Sequence, residues 1–178
     1  MGDGLATGGQ RHNRNRVACA LVEEVVRKFG TVRLRVIGTS MVPSILPGDV
    51  ITVRRGSLNE IYRGDLVLCA GERGFAVHRV AAKTNCFGEN FLLTRGDRLR
   101  HDDPLVCSAA LLGRVESIER AGCQLHPTDS LNIWKRMIAP LLRTSDRATY
   151  AYLELVGACQ KICWGGHSNR RENYHSTR

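Results

Sequence analysis

No run in the sequence approaches the roughly 18 apolar residues that a bilayer-spanning helix needs. The N-terminal stretch MGDGLATGGQRHNRNR has no apolar segment after its charges. The expectation is a chain without spanning helix or secretory leader, cytoplasmic or peripherally membrane-associated. Aromatic residues make up only 6%, and the basic residues are scattered instead of alternating with rings. The stacking platform of a single-strand nucleic-acid binder is therefore missing. Nucleic acid is disfavoured as a partner, although the net charge of +9 suits an anionic surface. The seven cysteines are odd in number and follow no regular spacing, which speaks against a disulfide framework and for reduced thiols. Proline is scarce at five residues, and two of these, Pro43 and Pro47, fall in one short stretch.

What is present is a globular balance, 43% hydrophobic and 24% charged over 178 residues, enough for one domain with a core and an appendage. Residues 1–16 are Gly-, Arg- and Asn-rich and read as a disordered basic tail. Residues 17–30 read as an amphipathic helix, with Val17, Leu21, Val25 and Phe29 four apart and Gly30 as its stop. From Thr31 the pattern turns to short β-rich runs: TVRLRVI, DVITVRR, DLVLCA, GFAVHRV, FLLT and LLGRVESIE. Three Gly-Asp pairs, at 48–49, 64–65 and 96–97, supply turn signals between them. Residues 31–120 thus read as a mainly β, antiparallel domain. Residues 121–166 form a helical C-terminal extension in this reading, and residues 167–178 a second disordered tail.

Few residues in this frame carry chemistry. Cys159, Cys163 and His167 stand four apart and could share a helix face as metal ligands, but Gly165 and Gly166 are expected to end the helix between the last two. No metal site is assigned. The two RGD tripeptides, at 63–65 and 95–97, read as tight turns opening a strand or loop. Ser40, in VIGTSMVPSILPGDV, is different. A serine hydroxyl becomes a nucleophile only when a base takes its proton, and acyl transfer also needs backbone N–H groups aimed at the oxyanion. Gly38 and Thr39 permit a tight turn before Ser40, and Pro43 and Pro47 stiffen the chain after it.

A base must come from elsewhere in the chain. Of the six histidines, His12, His167 and His175 fall in the tails, His126 sits beside Pro127 in a linker, and His101 lies in a charged loop. Only His78 lies within a strand, FAVHRV. Alternation turns it to one face with Ala76 and Val80, opposite Val77 and Arg79. A strand histidine alone is more often structural. Acids come next in TRGDRLRHDDP as Asp97, Asp102 and Asp103, which a solvated loop would explain equally well.

The combination is more specific than its parts. GTSMVPSILPGDVITV, RGDLVLC, FAVHRV, LLTRGDRLRHDDP and LLGRVESI resemble, in order and approximate spacing, the boxes of signal peptidase I and its relatives, the SOS-repressor autoproteases. The resemblance covers roughly residues 31–120. It implies that Ser40 is the nucleophile. Where the usual bacterial and mitochondrial enzymes carry lysine, this sequence has His78, which resembles the endoplasmic-reticulum and archaeal branch with its Ser-His-Asp set. By the same resemblance Asp103 is the acid that orients His78, Asp97 a structural or supporting carboxylate, and Asp102 the third candidate.

The family further implies a substrate peptide that is extended against an active-site strand, with small residues near the cut and Met41 and Pro43 among its contacts. Neither metal nor organic cofactor is required. Gly38 stands where several signal peptidases have an oxyanion-hole serine, so Gly38 and Ser40 would contribute backbone N–H groups only. The family's membrane anchor has no counterpart. IWKRMIAPLLR, with Trp134, Lys135, Arg136 and Arg143, suits an anionic membrane surface, or else a helix packed on the β domain with its charges in water. The expected activity is a serine endopeptidase of signal- or leader-peptide type. Its rivals are a soluble processing protease unrelated to secretion and an inactive peptide-binding module.

Overall fold

The computed structural model describes residues 6–71, 74–86, 88–127 and 133–168, with side chains over 17–71, 74–86, 88–127 and 137–158. Helix α1 (Ala6–Phe29) leads into strands β1 (Thr31–Arg35), β2 (Val50–Arg54), β3 (Leu66–Gly71), β4 (Gly74–Cys86), β5 (Glu89–Arg95), β6 (Leu111–Arg120) and β7 (Cys123–Leu125). Helices α2 (Ile133–Thr144) and α3 (Asp146–Ser168) complete the order. All strand pairs are antiparallel, in the order β1-β2-β6-β3-β4-β5. Strand β7 pairs with the far half of β6. The fold is therefore mainly antiparallel β with flanking helices.

The sheet buries both faces. On one face Val22 and Val26 of α1 pack with Ile51, Val53, Leu66, Leu68, Leu112 and Val115. On the other, Val67, Val80, Leu92, Val106 and Leu111 form a second cluster. Because partners in an antiparallel ladder share a face, the pairing of His78 with Val67 puts the histidine on the second face. Its neighbour Arg79, opposite Leu66, points to the first.

Two of the Gly-Asp pairs end turns of one design. In Leu46-Pro47-Gly48-Asp49 and Tyr62-Arg63-Gly64-Asp65 the last residue's N–H donates to the first carbonyl at 3.1 Å. The Asp carboxylate then accepts the first residue's N–H at 2.8 Å. Both glycines have positive φ, 94° and 97°, which the third position of a type II turn demands and side chains resist.

Several expectations need correction. Helical backbone begins at Ala6, not Val17, since a helix once nucleated propagates at one hydrogen bond per residue. Residues 1–5 and 169–178 of the expected tails lie outside the described residues. In α1 the expected apolar stripe faces outward: Val17, Leu21 and Phe29 are 60–67% exposed, and Val22 and Val26 form the buried contact. The short link through Gly30, whose N–H closes on Val26 and whose carbonyl accepts from Arg55, sets the helix's rotation about its axis. Helix α3 runs through Gly165 and Gly166 to Ser168. Strand β7, in a stretch assigned to the helical C-terminal extension, forms because Ala121 and Gly122, with φ of 48° and 74°, turn the chain back onto β6 in the manner of a tight hairpin. No helix among the described residues is long and apolar enough to cross a membrane.

Ala121 occupies left-handed backbone space that favours Asn or Gly over residues with a plain Cβ. Ala121→Asn should raise the unfolding free energy by about 0.5–1 kcal/mol, read as a higher urea midpoint at unchanged m-value.

Candidate active site

The segment 36–49 joins β1 to β2 and carries Ser40. Its ends close on each other, with Val36 N–H donating to Asp49 O at 2.8 Å and Gly48 N–H to Val36 O at 2.7 Å. Past Ser40 the chain turns inward, and Met41 through Leu46 are all buried. The Asp49 carboxylate, 3% exposed, receives the Arg120 guanidinium in a fork at 2.9 and 2.7 Å. Arg120 also donates to Ser44 O at 3.0 Å. Charge-assisted forks of this kind fix orientation as well as distance. The loop thus has no regular secondary structure but little freedom.

Strand β4 brings His78 to this loop. Ser40 Oγ lies 3.1 Å from His78 Nε2, and His78 Nδ1 lies 2.5 Å from Asp103 Oδ2. An ionised carboxylate can only accept, so Nδ1 carries the ring proton and Nε2 offers its lone pair to the Ser40 hydroxyl. Asp103 is steadied in turn: its Oδ2 accepts from Thr94 Oγ1 at 2.7 Å, and its N–H donates to Thr94 O at 2.8 Å. The His78 side chain is 12% exposed and that of Asp103 23%, whereas Ser40 is half-buried.

The three acids therefore sit in different places. Asp103 meets His78. Asp97, 5% exposed, takes both arms of Arg79, at 2.8 and 2.9 Å. Arg79 also donates to Gly64 O and reaches Ser44 Oγ, tying β4 to the Ser40 loop. Asp102 pairs with Arg95 at 3.5 Å near the surface. His101 is exposed.

Backbone groups complete the site. Among the described residues, no backbone carbonyl accepts from the N–H of Gly38 or Ser40, so both donors remain open to a ligand. Arg98 N–H holds the Ser40 carbonyl at 2.9 Å. A Cβ on Gly96 would come within 2.8 Å of that same carbonyl, which is why a glycine precedes Asp97. At Gly38 a Cβ would meet nothing within 4 Å.

Met41 and Pro43, expected as substrate contacts, are buried. Met41 is 2% exposed and packs with Ile45, Ile51 and Leu68, so its role is to anchor the loop. Arg143, read as facing either anionic lipid or water, donates through Nε to Asp97 O at 2.9 Å. Cys69, on the same sheet face as His78, is no rival nucleophile: burial, helped by the negative charge of Asp103, pushes its thiol up to about 12. No group of metal-ligating side chains converges among the described residues. Cys159, Cys163 and His167 lie outside those with described side chains. Thr94, Arg79 and Arg98 were missed by sequence reasoning. Only Arg79, adjacent to His78 in an alternating strand, left a signal, because alternation put it on the opposite face.

Asp97→Asn weakens a charge-assisted fork, and hydrogen bonds to charged groups contribute about 1.5–3 kcal/mol, while Arg79 keeps its other acceptors. Asp97→Asn should therefore lower stability by roughly that amount, measured by urea unfolding, and Asp102→Asn by less than about 1 kcal/mol.

No curated protein matches the chain. A family model described as Peptidase S24-like matches residues 6–88, a span that holds α1 through β4 with Ser40 and His78 and ends before Asp103. That match covers a little under half of the chain and, on a mainly antiparallel β fold, supports the S24/signal peptidase I-like serine peptidase superfamily.

Proposed function

We propose that the protein is a serine endopeptidase that cuts an extended peptide, in the manner of signal- or leader-peptide processing, with a Ser-His-Asp mechanism. The observation that carries this reading is the continuous path from Ser40 Oγ to His78 Nε2 at 3.1 Å and from His78 Nδ1 to Asp103 at 2.5 Å. In this mechanism Ser40 Oγ attacks the scissile carbonyl carbon as its proton passes to Nε2. His78 then returns that proton to the leaving amine, and a water, deprotonated by the same nitrogen, releases the acyl group. Asp103 fixes the tautomer and stabilises the transient imidazolium. The open N–H groups of Gly38 and Ser40 stabilise the oxyanion. No step calls for a metal or organic cofactor.

The half-buried site suits a substrate whose residues beside the cut are small. Since protonation of Nε2 removes the lone pair that accepts the Ser40 proton, activity is expected to fall toward acid. Ser40→Ala or His78→Ala should abolish hydrolysis of a peptide with alanines on both sides of the cut. Asp103→Asn should lower kcat by about 10⁴-fold while the fold persists, because the amide can donate to the ring and favour the wrong tautomer. These are read as kcat and KM against pH, alongside melting temperature. Full turnover in His78→Ala would sink the mechanism.

We propose peripheral contact of α2 with an anionic membrane as a second element of this function. Met137 and Leu141, one turn apart, are 68% and 59% exposed, an outward apolar pair beside the basic stretch. Trp134, Lys135 and Arg136 lie outside the residues with described side chains. Sedimentation with acidic phospholipid vesicles should weaken as salt rises from 0.01 to 0.15 M and the screening length falls from about 30 to about 8 Å. It should be reduced in Met137→Ser/Leu141→Ser. Equal binding to neutral vesicles, or none at low salt, removes the membrane from the proposal.

A further inference from the structure

Helices α2 and α3 lie beyond the residues the family match covers, yet they pack on the loop that presents Ser40. Val42 and Leu46, 0% and 4% exposed, share a cluster with Leu142 of α2, against which Tyr152, Leu153 and Val156 of α3 also pack. Val42 and Leu46, two and six residues after Ser40, are thus held by the helical pair. Polar contacts converge on the same place. Arg98 Nη2 donates to Asp146 Oδ1, in the first turn of α3, at 2.6 Å. Its Nη1 reaches Thr39 Oγ1 at 3.4 Å, and its own N–H holds the Ser40 carbonyl at 2.9 Å. One residue therefore touches the residue before the nucleophile, the nucleophile's carbonyl and the helical pair.

We infer that Arg98 is a positioning residue through which α2 and α3 hold Ser40 in reach of His78, an inference that rests on the peptidase reading above. The physical requirement is geometric. A nucleophile and its base lose rate steeply when displaced by fractions of an ångström, and a misplacement near 1 Å costs about 100-fold. The Ser40 loop has no ladder of its own on this side. Its second anchor, the Arg120 fork on Asp49, lies at the loop's far end. On the Thr39 side, the Arg98 tether supplies the restraint. Asp146 is 76% exposed, and an ion pair so exposed contributes little to global stability. Loss of the tether is thus separable from unfolding.

The test uses the full chain and a fluorophosphonate probe, in which Ser40 Oγ bonds to phosphorus, fluoride leaves, and His78 takes the serine proton. Saturation kinetics separate kinact, which reads positioning, from KI, which reads probe binding. Arg98→Ala keeps the backbone N–H on Ser40 and should lower kinact about 10- to 100-fold with KI within about twofold. Asp146→Asn should lower it about two- to fivefold, the range an exposed pair carries, and Asp146→Glu should restore it. The double variant Arg98→Ala/Asp146→Asn should be no slower than Arg98→Ala, because the tether acts through the guanidinium. Labelling is measured well below the melting temperature of each variant. Wild-type kinact in Arg98→Ala, or additive losses in the double variant, overturns the inference while wild-type labelling leaves the peptidase reading standing. Failure of the wild-type protein to label Ser40 overturns both.

Discussion

Everything at the site depends on holding an irregular loop still. A strand or helix is positioned by its ladder, but residues 36–49 have none, and their polar backbone must find partners elsewhere. They find them in Arg120, which donates to Ser44 O, in the mutual closure of Val36, Gly48 and Asp49, and in the N–H of Arg98 on Ser40. Apolar burial does the rest: Met41, Val42, Ile45 and Leu46 are all less than 5% exposed. Two different cores receive them, the sheet face under α1 for Met41 and Ile45 and the helical pair for Val42 and Leu46. Half-exposed Ser40 is therefore followed by six buried residues.

The division between Asp97 and Asp103 shows how environment separates like groups. Both are carboxylates in one loop, six residues apart. Asp97 is nearly sealed, and both of its oxygens accept from the Arg79 guanidinium. Asp103 meets an imidazole nitrogen and a threonine hydroxyl. Neighbouring residues on β4, His78 and Arg79, serve the two acids because strand alternation sends them to opposite faces of the sheet. A one-residue slip of β4 would put a cation in place of the base beside Ser40 itself.

Much of the fold was legible because its signals are local. The β runs, the Gly-Asp turns and the helical periodicity after residue 130 each depend on residues close in sequence. Strand β7 was not, since three residues carry no period and exist as a strand only through β6. The rotation of α1 was not legible either: two of its faces carry apolar residues, and the one that packs was decided by the link at Gly30. Met41 and Pro43 illustrate a different loss: the family resemblance implied that they touch substrate, and nothing local says which way a loop turns.

The sequence by itself determined that Ser40 precedes a stiffened, apolar stretch, that His78 lies in a strand and faces away from Arg79, and that three acids come after a glycine. These are properties of order and spacing, which covalent geometry transmits over a few residues. Tertiary structure alone decided which acid meets the imidazole, that Thr94 braces that acid, and that Arg98 and the C-terminal helices reach the Ser40 loop. The physical reason is distance along the chain: Ser40, His78, Asp103 and Asp146 are separated by dozens of residues, and only the register of β4 against β3, the return of the chain along β5 and the packing of Leu142 on Val42 bring them within hydrogen-bonding range.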